Sequence, residues 1–153
     1  MSDGVFGPGG SDFPLASWAA RALGAVADGV VIGIPTYLIA LGLDVRGRSG
    51  YFYLDLIVSF VYSFSLVGFL GHTLGMSLMR LQAVEAREGR TPIGVLRAAI
   101  RSATAGLLTI IPLGAIIDLL WPLWDPRNQT IHDKAAGTIV LRREARTLPP
   151  DQL

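Results

Sequence analysis

Three long apolar stretches limit what this chain can fold into. They read "SWAARALGAVADGVVIGIPTYLIALGL" (17–43), "YFYLDLIVSFVYSFSLVGFLG" (51–71) and "SATAGLLTIIPLGAIIDLLWPLW" (102–124). A bilayer's hydrocarbon core is about 30 Å thick and a helix rises about 1.5 Å per residue, so about 20 apolar residues span it. The first two stretches meet that length. Composition agrees, with 51% hydrophobic and 16% charged residues in a 153-residue chain. A water-soluble domain of this size needs more polar surface than that. The residues before the first stretch hold Asp3 and Asp12 but no Lys or Arg, and the apolar run exceeds a signal core, so it reads as a membrane helix.

The third stretch breaks in its middle. At "IPLG" (111–114) Pro112 removes a backbone donor and Gly114 permits a tight bend. Loop charge gives a reason for the chain to turn back there. If it does, only Arg46 and Arg48 lie on one side of the membrane and the other eleven of the thirteen basic residues lie on the opposite side. A full third crossing leaves almost no bias. Two strand-like segments, about 77–84 with a turn near Gly89 and 137–143, also stabilise each other only if both lie on one face. The expected fold is an all-α membrane protein. Its helices run over about 17–43, 51–71 and 95–124, the last broken or re-entrant, with a small cytoplasmic β-strand pair. Residues 1–15 read as a flexible tail, 16–143 as the membrane domain and 144–153 as a C-terminal tail, with both termini cytoplasmic.

Charged residues inside apolar helices are costly and mark either a site or a packing contact. Arg21 and Asp28 are seven apart, on nearly one face of the first helix. Asp28 reads as an ion or proton site, or as a neutralised or paired carboxylate that locks helix packing. Asp55 sits beside Tyr51, Phe52 and Tyr53, an interfacial belt where it would be wet. Asp118 either snorkels to the interface or pairs with an arginine. Ala25, Gly29 and Gly33 form a row of small residues at helical spacing, and Gly71 with Gly75 forms a second, the pattern that lets helices approach closely in lipid.

The chemistry-bearing patterns of enzymes are absent. With no cysteine, neither a disulfide nor a thiolate metal site can form. The two histidines, His72 and His132, are sixty residues apart and outside any metal-binding spacing, so neither a metal nor another cofactor is expected. A net charge of +1 excludes a nucleic-acid footprint.

The stretches "RALGAVADG" and "QTIHDKAAGTIVL", with "GHTLGMSLMRLQAVEAREGRTP" and "LRAAIR" between them, resemble the RDD (Arg-Asp-Asp) family over about residues 16–143. The matching residues are Arg21, Asp28 and Asp133. The resemblance implies a bacterial integral membrane protein of the inner (plasma) membrane, and transport of an ion or small solute has been suggested for such proteins. The residues themselves suggest a cytoplasmic latch, with Asp133 accepting backbone amides or pairing with Arg21 while His132 and Thr138 brace the turn. Reversing both charges of that pair should then restore what either reversal destroys. Two functions follow as expectations. One is a non-enzymatic accessory subunit held by lipid and by other subunits of a larger membrane complex, for example a respiratory-chain assembly. The other is a homo-oligomeric cation or proton exchanger using Asp28.

Overall fold

The computed structural model describes residues 14–143, so the tails expected over 1–15 and 144–153 fall outside it apart from Pro14 and Leu15. Ser17 starts the first helix by accepting the Ala20 amide on its side chain, and α1 runs Trp18–Gly42. Helix α2 runs Arg48–Leu70, beginning three residues before the expected 51, because Gly47 at φ 83° turns the chain directly into it. Gly71 closes α2 in the left-handed region at φ 79°. Each helix is long and apolar enough to cross a membrane, yet only 11% of its most apolar stretch is buried within the chain. Leu23, Ile34, Leu38 and Leu41 of α1, and Ile57 and Phe69 of α2, are all more than half exposed. Such surfaces suit lipid and not water.

The strand expected over 77–84 begins later. Thr73 caps a short helix α3, Leu74–Leu78, by accepting the Met76 amide, and Arg80 at φ 56° then breaks the chain. Strand β1 is Leu81–Glu85 and pairs antiparallel with β2, Thr138–Arg142, in the register Leu81↔Arg142 to Glu85↔Thr138. The chain entering α1 docks on the other edge of β2, where Leu15 bridges Leu141 and the Ala16 amide donates to the Val140 carbonyl at 2.9 Å. Ala16, Val67, Leu81, Ala83, Ala98 and Val140 form the core beneath this sheet.

The third apolar stretch is a helix, a break and a helix, as the sequence suggests. Helix α4 runs Val95–Ile110 and packs on α2, with Gly68 admitting the Ala98 methyl. Its 16 residues are about 24 Å long, short of a full crossing. Ile111 is extended, Leu113 takes φ 62°, and the Gly114 amide closes the turn on the Ile111 carbonyl at 2.9 Å. Helix α5, Gly114–Leu120, then heads back. It ends beside the start of α1, where the Trp18 indole donates to the Leu119 carbonyl at 2.9 Å. A 3-10 turn at Trp121–Leu123 leads on to α6, Ile131–Ala136. The start of α1, the end of α2, the start of α4, the end of α5, α6 and both strands therefore gather at one end of the molecule.

The two rows of small residues behave differently. A Cβ on Gly75 would collide with the Gly24 carbonyl and lie 2.7 Å from the Asp28 carboxyl carbon, so α3 presses against α1 at that point. Gly29 and Gly33 meet nothing within 4 Å. Gly75→Ala should therefore destabilise the protein by about 1–3 kcal/mol through overpacking. Gly29→Ala should be neutral or stabilising by up to about 1 kcal/mol, since a helical glycine gives way to a better helix former. Thermal unfolding of the two variants in detergent checks the contrast.

Candidate functional site

The tail motif folds as a capped helical turn. Thr130 is the N-cap of α6 and accepts the Asp133 amide at 3.2 Å, while Asp133 accepts the Thr130 amide at 3.2 Å in return. Gly137, left-handed at φ 65°, ends the turn and releases the chain into β2. This short helix fixes the carboxylate of Asp133, which is completely buried. Its Oδ2 takes a hydrogen bond from Arg21 of α1, and its Oδ1 takes one from Arg101 of α4. Both guanidinium side chains are 9% exposed, so the ion triad is shielded from solvent. Thr138 Oγ1 lies 3.3 Å from both Arg101 Nη1 and the Asp133 backbone carbonyl. Asp133 thus joins α1, α4, α6 and β2.

Asp118 of α5 pairs with a histidine, where the sequence suggested snorkelling or an arginine. Its carboxylate lies 2.6 Å from His132 Nδ1 and accepts the His132 amide at 3.1 Å. Burial, and then the positive charge of Arg101, hold the His132 imidazole down to about 4, against the opposing pull of Asp118. The ring is therefore neutral at physiological pH and donates Nδ1–H to Asp118. This contact ties the returning helix α5 to α6.

Asp28 accepts three hydrogen bonds from its own chain. Tyr62 Oη donates to Oδ1 at 2.6 Å, Thr73 Oγ1 to Oδ2 at 2.6 Å, and the Gly75 amide to Oδ1 at 2.7 Å. Tyr62 in turn accepts the Leu74 amide at 3.0 Å. The carboxylate clasps α1 to α2 and to the start of α3. Arg21 and Asp28 share a face of α1 as their spacing requires, but they serve different clusters. Two cavities of about 370 and 340 Å³ meet at Asp28. One reaches Asp118 and His132, and the other runs between α1, α2 and α4 to Asp55. Asp55 is half-buried, on the wall of the second cavity. Ala25 lines both cavities, whereas Gly71 acts as a helix cap.

Residues 15–137 match the sequence pattern of the RDD family. The chain belongs to the RDD family. Together with its two long apolar helices, this makes it a membrane-type protein. No curated protein and no solved structure matches it. Within the matched residues Arg21 and Asp133 form one latch, and Asp28 forms a separate clasp nearby.

Arg101 is the functional residue that the sequence reading passed over. A trace of it was visible, since Arg97 and Arg101 stand four apart on α4 and so share a face. Arg97 donates to the Ala136 carbonyl at 3.0 Å and pairs with buried Glu85, holding α4 to α6 and β1. Tyr62 and Thr73 left no comparable trace, because they lie 34 and 45 residues from Asp28 along the chain.

The second arginine changes what a charge swap can do. An arginine at 133 would face Arg101 as well as residue 21, so Arg21→Asp with Asp133→Arg should not restore stability. Asp133→Asn leaves two buried guanidiniums around a neutral group and should cost about 3–5 kcal/mol, measured by denaturant unfolding in detergent. The His132 imidazole predicts a pH dependence. The unfolded ring takes up a proton near its ordinary 6.5, whereas the folded ring resists down to about 4. Acidification through that window therefore favours the unfolded state. The melting temperature should fall as pH drops from about 6.5 to 4, and His132→Asn should flatten that part of the profile.

Proposed function

We propose that this RDD-family protein is a non-enzymatic, multi-pass subunit of the bacterial inner membrane that stabilises a larger membrane complex. The observation that carries this reading is the state of Asp28. A carboxylate that accepts three hydrogen bonds from its own chain is built as a packing clasp, and a site that loads and unloads an ion would have to surrender them. Asp118 and Asp133 are likewise engaged by His132 and by two arginines. The outward faces of α1 and α2 are apolar, and the open Gly29–Gly33 row on α1 offers a partner helix close approach. In this reading the sheet end, rich in arginine, lies in the cytoplasm, and α4 with α5 enters the membrane and returns.

A second reading, a homo-oligomeric cation or proton exchanger, has one feature in its favour: the two cavities share Asp28 as a common wall. Purification of the tagged protein in mild detergent, with mass spectrometry of everything retained in fixed ratio, separates the two. Other membrane subunits at near-equal stoichiometry support the accessory role. Recovery of this chain alone as a discrete oligomer sinks it, and proteoliposome flux then tests the exchanger. Asp28→Asn sharpens the distinction. It removes one acceptor oxygen from the clasp and should lower stability by about 1–3 kcal/mol and weaken assembly in the first reading. In the second it abolishes flux while the oligomer persists.

A further inference from the structure

The sheet end of the molecule carries a groove of about 1030 Å³, away from the latch and the clasp. The β1–α4 loop, the start of α4, the loop before α6 and α6 itself form its walls. Five cations line it: Arg87, Arg90, Arg97, Arg127 and Lys134. Glu85 and Glu88 share the wall, and buried Asp125 behind it takes Lys134. Five positive charges thus stand against three negative ones. Glu85 is held by Arg90 and Arg97, and Glu88 by Arg90. Arg87 and Arg127 are both exposed and have no carboxylate partner among the described residues. Arg127 rests its Nη2 on the Ala86 carbonyl at 3.0 Å, which brings its guanidinium within one residue of Arg87. The groove therefore has a surplus of positive charge at an accessible rim.

Its position selects among anions. Leu96, Ile100, Leu107 and Ile110 share one face of α4 and are 74, 39, 59 and 54% exposed. Leu96 and Ile100 also line the groove, so the cationic wall passes directly into an apolar stripe. From Ile100 to Ile110 the stripe is about 15 Å long, half of a bilayer's apolar core of about 30 Å. Trp121 and Trp124 shortly precede Arg127 in the chain, and tryptophans sit at headgroup level in membranes. A ligand that is anionic at one end and apolar over the rest meets both walls. A free phosphate or an acidic peptide meets only the cations.

We propose that this groove binds the headgroup of an anionic phospholipid. Phosphodiester oxygens accept from Arg87 and Arg127, since guanidinium groups match phosphate geometry. An acyl chain lies along Leu96, Ile100 and Leu107. The site rests on the membrane-spanning part of the reading above, and it holds equally for a subunit and for an exchanger.

The test uses the full chain in dodecyl maltoside, titrated with phosphatidylglycerol and followed by native mass spectrometry. The control is phosphatidylcholine with the same acyl chains, which keeps the phosphodiester but has no net charge. The expected result is one phosphatidylglycerol per chain, bound at least about tenfold more tightly than phosphatidylcholine. Arg87→Gln with Arg127→Gln should remove that preference. Arg80→Gln with Arg142→Gln takes the same charge from the same end, outside the groove, and should keep it. Equal binding of the two lipids to the wild-type chain overturns the proposal even if the variants fail to fold. Equal loss of preference in both double variants also overturns it, because general charge would then suffice. Glycerol phosphate or hexaglutamate at the lipid's concentration should leave phosphatidylglycerol in place. Displacement by either would reassign the groove to a free phosphate or an acidic peptide and overturn the lipid assignment. Carbonate extraction of membranes reads insertion separately. A chain kept in the pellet that shows no lipid preference overturns the site alone, whereas a chain released into the supernatant overturns the spanning reading with it.

Discussion

A single buried carboxylate holds this molecule in its arrangement. Asp133 accepts the amide that starts α6 and receives guanidinium groups from α1 and α4, with Thr138 of β2 against it. These elements are far apart in sequence, and two belong to segments whose outward faces are apolar. Apolar helices slide past one another cheaply in lipid, where hydrophobic burial gives no preference for register. A buried ion triad does impose one, because any displacement leaves a guanidinium or a carboxylate without its partner in a poorly solvating interior. The triad fixes where α1 begins and where α4 begins. The sheet, α3 and α6 are assembled around that point.

Below the latch, Asp28 performs a related task in a different way. It is met by hydroxyl and amide donors instead of cations, and it draws α2 and α3 against α1 where Gly24 and Gly75 let the backbones touch. Latch and clasp lie on one face of α1; one cavity opens between them and the other extends from the clasp towards Asp55. The result is an interior with polar groups along its axis inside an exterior of leucine, isoleucine and phenylalanine. This arrangement suits a protein whose solvent is lipid, and it explains how carboxylates can sit in helices of such low polarity.

The break in the third apolar stretch shows how local chemistry and long-range pairing combine. Pro112, Leu113 and Gly114 make a turn sterically feasible. Its direction is settled by Asp118 meeting His132 and by the Trp18 indole meeting Leu119. Without those contacts the same residues could serve as a kink in a continuous helix.

The apolar lengths, the helix break, the strand pair, the family motifs and the contact between Arg21 and Asp133 were legible in the sequence by itself. Each depends on residue type, on local periodicity or on a recurring pattern. The late start of β1 was less legible, because the cap at Thr73 and the reversal at Arg80 compete with a strand pattern that looks continuous over 77–84. The tertiary structure alone decided that Arg101 completes a triad, that Asp118 takes His132 and that Asp28 is closed by Tyr62, Thr73 and Gly75. Such partners are selected by where helices cross in space. Nothing in the local pattern of a single sequence encodes a crossing between residues 34 or 45 positions apart.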